Sequence, residues 1–334
     1  MRPSGSSQLV LPRRRLLQAG ATMLAAATFS RRATALDYPI GPVRLVVGFP
    51  AGGPSDILGR LIAQWLADRL GQPFTVDDQP GNASNSATAA VVRAPADGYT
   101  LLLVGPANAI NASLFDNLGF NFLRDIAPVA GLTREPLVML ANPSIVARSP
   151  AELIDLARTN PGKIRLALTD PGSAPHASGE LFRMMTGLDL AVVRYTGGGP
   201  AALKGTIEGQ TELMFEPLSA SLAPLKAGKL RALAVTSAAR SPALPDLVPL
   251  GDAVPGYEAS AVSGIGAPKD TPMAVIDTLN AAVNAAFVDR QMLARLAETG
   301  GSPLPGTPAD FGKLMTAETE KWASVVKFAA AKSH

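Results

Sequence analysis

Cysteine is absent from the 334-residue sequence, which excludes a disulfide framework, thiolate catalysis and cysteine-ligated metals. Histidine is nearly absent: the two present are His176 and the last residue, His334. A single internal imidazole leaves a histidine metal site or a Ser–His–Asp system without most of its parts. No G-x-S-x-G elbow occurs, and the glycine-rich turn at Gly52 lacks the Lys-Ser/Thr of a phosphate-binding loop. Aromatic residues make up 5% and charged residues 17%, so neither a coiled coil nor an acidic or basic tail is encoded. What is plentiful is apolar residues, at 47%, together with 31 glycines and 29 prolines. That balance suits an α/β chain with many short turns, long enough for two medium domains that each bury a core.

The net charge of +3 has a local origin. Residues 1–35 hold six arginines and no acid, and removing them leaves 24 basic against 27 acidic residues. The remainder is slightly acidic, and nothing else supports a nucleic-acid partner. The same 35 residues read as an export signal: Arg13-Arg14-Arg15-Leu16-Leu17 precedes an uncharged run from Leu16 to Phe29, then Ala33-Thr34-Ala35. The run is too short and too dilute to span a bilayer, and no later stretch approaches about 18 apolar residues. Cleavage after Ala35 is expected, and the Arg-Arg-x-Leu-Leu core resembles a twin-arginine signal. The expected location is periplasmic and unanchored, since no cysteine is available for a lipid.

Short apolar runs at Val43–Phe49, Tyr99–Val104, Ile164–Leu168, Ala191–Tyr195, Thr211–Phe215 and Leu230–Thr236 read as strands. Helices lie between them, most clearly Pro54 to Leu70, with Ile57, Leu58, Leu61, Ile62, Trp65 and Leu66 at helical spacing and Gly71 beyond its end. From Thr271 the pattern is helical: Met273–Phe287, Arg290–Glu298 and Ala309–Lys327. The expectation is two lobes, residues 36–138 with 240–334 and residues 139–239, crossing near 135–143 and 237–245.

The chemistry sits in turns where strands end and helices begin. Three are glycine-rich: Phe49-Pro50-Ala51-Gly52-Gly53-Pro54-Ser55-Asp56, Asp170-Pro171-Gly172-Ser173-Ala174-Pro175-His176 and Tyr195-Thr196-Gly197-Gly198-Gly199-Pro200. A fourth, Pro106-Ala107-Asn108, follows the strand ending at Val104. In a parallel sheet such turns share the carboxyl edge, where ligands of open α/β sheets bind. Glycine admits backbone close to a ligand, and the free N–H groups of a helix start favour an anion. Ser55 and Asp56 serve equally well as helix caps, and a lone histidine such as His176 is more often structural than catalytic. A rival reading is a dinucleotide site: Gly197-x-Gly199-x-x-Ala202 follows a strand, and Glu216 stands 19 residues on, as in an exported NAD(P)-dependent oxidoreductase.

At these turns the chain resembles the extracytoplasmic solute receptors of tripartite tricarboxylate transporters, the Bug group. The likeness is carried by Pro42–Val47, the Phe49–Asp56 turn, Ala96-Asp97-Gly98-Tyr99-Thr100-Leu101-Leu102, Asn160-Pro161-Gly162-Lys163, Gly179-Glu180-Leu181-Phe182, Ala227–Thr236 and Arg240–Asp246, in order along the chain. The resemblance implies a two-lobed type II periplasmic-binding-protein fold, with mixed or parallel sheets flanked by helices, no catalysis and no cofactor. It implies a carboxylated solute gripped by Gly52, Gly53, Ser55 and Asp56 from one lobe and Ser173, Ala174 and His176 from the other. Phe49, Ala51, Pro106, Ala107, Asn108, Gly172, Arg194, Tyr195 and Glu216 border the same cleft. The expected partners are a small organic carboxylate and a tripartite membrane transporter or a sensor, with the receptor itself a monomer. The sequence departs from the family pattern at Ala51, at Asn82-Ala83-Ser84-Asn85, at Arg194 and Thr196, and at Glu216-Pro217, where Asp-Asn is common. Glu216 and Arg194 are therefore expected either to tune the choice of ligand or to form an exposed ion pair.

Overall fold

The computed structural model describes residues 38–331, so the expected export signal and the expected cleavage after Ala35 lie outside the described residues. From the amino end, β1 (Val43–Val47) leads into α1 (Pro54–Leu70), then β2 (Phe74–Asp78), α2 (Asn85–Val92), β3 (Thr100–Val104), α3 (Pro106–Leu114) and α4 (Phe122–Asp125). The long β4 (Ile126–Ala141) is followed by α5 (Pro150–Thr159), β5 (Arg165–Leu168), α6 (Ala174–Thr186), β6 (Ala191–Arg194), α7 (Gly198–Ile207), β7 (Leu213–Pro217), α8 (Leu218–Lys226) and β8 (Arg231–Val235). Then come β9 (Ser260–Pro268), α9 (Met273–Ala286), α10 (Arg290–Glu298), the two-residue β10 (Ser302–Pro303) and α11 (Pro308–Ala331).

Local chemistry accounts for the clearest helix. Pro54 occupies the first turn of α1, where its missing N–H costs nothing, and Gly71 closes it at φ 72° by donating to the Ala67 carbonyl. Leu58, Leu61, Ile62 and Leu66 form its buried stripe against β1 and β3. Burying side chains of this size contributes roughly 1.5–3 kcal/mol each, so packing rather than capping holds α1.

The sheet is mixed. β2, β1 and β3 are parallel neighbours, and β9 runs antiparallel to both β3 and the first part of β4. β4 then changes partners: Pro136 is the last residue paired with β9, and Leu137 the first paired with β7. Beyond it β5 is parallel to β6 and to β7, while β8 is antiparallel to β4. At the crossing, Thr236 donates its N–H to the Leu137 carbonyl at 2.9 Å and accepts from Ala259 N–H at 3.0 Å. Three chain segments thus pass side by side. Residues 237–259 stay with the second half, where Leu250, Val254 and Tyr257 are buried beside Phe182 and Phe215, so the return to β9 falls at Ala259–Ser260.

Two main cores result. One packs Leu45, Ile62, Leu101, Leu132, Ile265 and Leu279; the other packs Met139, Leu166, Leu168, Phe182, Phe215 and Tyr257. Ile110 of α3 and Trp322 and Val325 of α11 belong to the second core although their helices also serve the first half. The Tyr257 hydroxyl donates to the Ser178 carbonyl at 2.9 Å, which fixes the aromatic cluster to α6.

Candidate functional site

Because β1, β2 and β3 are parallel, the turns after them open on one sheet edge. The same holds for the turns after β5, β6 and β7 in the second half. The two edges meet: a methyl group at Gly172, after β5, would stand 2.7 Å from Asn111 Oδ1 of α3 and 3.6 Å from Ala83 Cβ, after β2. Gly172 also has φ +89°, a conformation that strains any other residue. Only glycine satisfies both demands.

In the first turn, Asp56 is buried at 4% exposure and closes the loop on itself. Its Oδ2 accepts the Gly52 N–H at 2.7 Å, and Arg60 Nε lies 2.6 Å from Oδ1 as an ion pair. Burial pushes this carboxyl up, but the Gly52 hydrogen bond and the Arg60 guanidinium outweigh it and hold the pKa below the ordinary value. Asp56 is therefore engaged as the brace of the Gly52 turn, whose φ of +80° it fixes. Gly52 and Ala51 are exposed, Gly53 and Ser55 half-buried.

The other expected contacts divide in the same way. Asn108 accepts the Gly105 N–H at 2.8 Å and donates to Thr88 Oγ1 at 2.8 Å, so its amide braces α3 on α2. Ser173 caps α6, accepting the His176 N–H at 3.3 Å, donating to the Asp170 carbonyl at 2.8 Å and hydrogen-bonded to the Thr169 hydroxyl at 2.7 Å. His176 is buried, and burial first, then the nearby Arg194 and Arg183, lowers its pKa to about 4. It is a neutral imidazole across the physiological range. Tyr195 lies over Gly205 of α7 and donates to Gln210 Oε1 at 3.2 Å. Phe49 packs on the first core, while Pro106, Ala107 and Ala174 start their helices at the shared edge.

Arg194 and Glu216 end neighbouring parts of the sheet edge but are not partners. Arg194 is exposed, and none of the ion pairs among the described residues includes either one. Glu216 is 5% exposed, with its carboxyl against Gly199. Burial, then the carboxylate of Glu135, pushes its pKa up to about 8.

The turn after β2, marked in the sequence only as a departure from the family pattern, is strained, and the residue that holds it, Asn111, is the one that sequence reasoning missed. Asn82, Ala83 and Ser84 stand at φ +45°, +52° and +76°, three successive non-glycine residues in the left-handed region. Each costs on the order of 1–2 kcal/mol. Asn111 Nδ2 supports them, donating to the Ala83 carbonyl at 2.6 Å and to Asn85 Oδ1 at 3.1 Å. The run Gly81-Asn82-Ala83-Ser84-Asn85 carried a turn signal, and β2 before it was the hidden element.

An α/β chain whose two halves bring glycine-rich turns together at a crossing is the architecture of periplasmic binding proteins. Residues 58–330 match the family described as "Tripartite tricarboxylate transporter family receptor". The chain belongs to that family and is one of its solute-binding receptors. It is 34% identical to Protein BugT of Bordetella pertussis over 95% of this chain and 98% of that one. Among solved structures it is similar to R. palustris Rpa4515 with adipate, at 36% identity and a TM-score of 0.78, covering 88% of this chain and 98% of that one. It is also similar to MatC from Rhodopseudomonas palustris with bound malate, at 30% identity and a TM-score of 0.74, covering 86% and 100%. Nothing in these likenesses supports the dinucleotide reading of Gly197–Ala202, and the structure gives that turn to a helix start facing a buried acid instead.

Proposed function

We propose that this chain is an exported, non-enzymatic receptor that closes on one small carboxylate in the periplasm. The observation that carries the reading is the meeting of the two sheet edges at Gly172, Ala83 and Asn111. There the first turns of α1, α3 and α6 leave the N–H groups of Ser55, Asp56, Ala107 and Ala174 for a carboxylate. The side chains of Asp56, Asn108 and Ser173 act one step back: they take up the N–H groups of Gly52, Gly105 and His176 and so hold the turns in place. Relatives solved with adipate and with malate support a carboxylate ligand.

The two lobes are those expected from the sequence, residues 36–138 with 240–334 and residues 139–239, save that 240–259 go with the second lobe, whose core holds Leu250, Val254 and Tyr257, so the hinges fall at 135–143 and where the chain passes Ala259 into β9. The partner that takes the solute onward is a tripartite tricarboxylate transporter, and export proceeds by a twin-arginine signal. A thermal-shift screen over small organic acids tests the reading. A ligand at about 100 times its Kd adds roughly 2.7 kcal/mol of stability, so a cognate acid gives a clear upward shift. No shift with any carboxylate, against a shift with a nicotinamide cofactor, would favour the oxidoreductase instead.

A further inference from the structure

Glu216 is a buried acid without a partner. It is the fourth of five residues in β7, at the edge that also carries the Gly172 and Gly197 turns. Its carboxyl lies over Gly199, with Oε2 3.0 Å from where a methyl group on Gly199 would be, at the start of the ten-residue α7. Oε2 has no hydrogen-bond partner. The charged groups on the elements around it do not supply one. Glu135 of β4 is itself an acid, bound to Ser219 through its backbone N–H at 3.0 Å and its hydroxyl at 2.7 Å. Asp170, after β5, has Oδ2 3.9 Å from the methyl position of Gly198. Of the bases, Arg183 of α6 pairs with Glu180 at 2.8 Å, Lys204 of α7 pairs with Glu208 at 2.8 Å, and Arg194 of β6 is exposed.

The place a helix start would offer to an anion is thus already filled by a carboxyl, a second acid, Glu135, acts on it, and a third, Asp170, stands at the adjoining Gly198. A second carboxylate from the ligand would gain at most one hydrogen bond from the protonated Glu216 and would face Glu135 and Asp170 besides. A cation would meet the counter-charge that the edge lacks. We propose that Glu216 forms the subsite for an ammonium group, so that the solutes this receptor favours carry an amino group as well as a carboxylate. This rests on the carboxylate-receptor reading above and adds the second end of the ligand. Binding converts the Glu216 acid to a carboxylate paired with the ammonium, and its proton passes to solvent. The raised pKa makes this visible: with burial pushing the free carboxyl up to about 8, most of a proton should leave per ligand bound at pH 7.

The test is calorimetry on the mature protein in two buffers of different ionisation enthalpy. The probes are 4-aminobutanoate, 5-aminopentanoate, 6-aminohexanoate and the L-α-amino acids, against succinate, glutarate, adipate and malate. The expected result is tighter binding of an amino carboxylate than of any diacid, with proton release near pH 7, both lost in Glu216→Gln by at least about tenfold in affinity. Preference for a diacid, or amino carboxylate binding without proton release, overturns the ammonium subsite and leaves the carboxylate reading intact. No binding of any probe overturns both. Proton release is read on the unaltered protein, so a poorly folding variant does not blunt the experiment.

Discussion

Replacing Asp56 with alanine should loosen the first binding turn, and the structure says by how much. The carboxylate makes two interactions of unequal worth. The hydrogen bond from Gly52 N–H at 2.7 Å is short and charge-assisted, and such bonds contribute about 1.5–3 kcal/mol. Its partner in the ion pair, Arg60, is 56% exposed, and solvent screening makes that contact the minor one. The backbone bond therefore dominates. Asp56→Ala should cost about 2 kcal/mol in urea unfolding at pH 7, which at roughly 2 °C per kcal/mol for a chain of this size lowers Tm by about 4 °C. The pH dependence follows from the lowered pKa. A carboxyl depressed in the folded state stabilises fully above its unfolded value of about 3.9 and loses that contribution as pH falls through the folded value. The gap between parent and variant should hold from pH 7 to pH 5 and close below about pH 4. A cost under about 0.5 kcal/mol, or a gap that does not change with pH, would refute the brace.

Three further outcomes follow from the same geometry. Gly172→Ala adds a methyl 2.7 Å from Asn111 Oδ1 at φ +89°; ligand affinity by calorimetry should fall about tenfold or more while the two cores stay folded, and unchanged affinity would mean the edges need not meet. Ala83→Gly relieves a left-handed alanine at φ +52° and should raise stability by about 0.5–1 kcal/mol in denaturant unfolding; a loss instead would show that the conformation there is not strained. Intact-mass analysis of periplasmic protein should give a chain starting at Leu36, and Arg13→Lys with Arg14→Lys should stop export; retained residues 1–35 would remove the signal, and unaffected export would remove its twin-arginine character.

The sequence made some of this plain and concealed the rest for physical reasons. α1 was readable because Leu58, Leu61, Ile62 and Leu66 bury one stripe between a proline start and a glycine stop. β5, β6 and the helical tail were readable for the same reason of period. β4 was not, because Pro128, Gly131, Arg134, Glu135 and Pro136 interrupt its apolar residues. Those interruptions serve the strand: it bulges between Pro128 and Ala130 and changes sheets after Pro136. β9 was hidden by Gly264 and Gly266, whose missing side chains leave room for Phe311 and Ile126. β2 was hidden because its last two residues are aspartates, and Asp78 holds Arg60 at 2.9 Å.

At the site, the glycines that admit backbone were legible, whereas side-chain commitments were not. Asp56 could be a ligand contact or a cap on sequence grounds, and the structure makes it a brace. Arg194 and Glu216 look like a complementary pair along the chain, and the fold leaves one exposed and the other buried and unpaired. Asn111 gave no signal at all, since its role depends on the strained turn 29 to 27 residues earlier that it holds.

The proposed function rests on a carboxylate held by backbone N–H groups at the meeting of two sheet edges. The direct test is calorimetry with the tightest-binding acid from the screen and with its methyl ester, which keeps the shape and removes the charge. The account predicts binding by the acid and at least about a hundredfold loss with the ester, because charge-assisted hydrogen bonds to the helix starts are then gone. Equal affinity for acid and ester would contradict it.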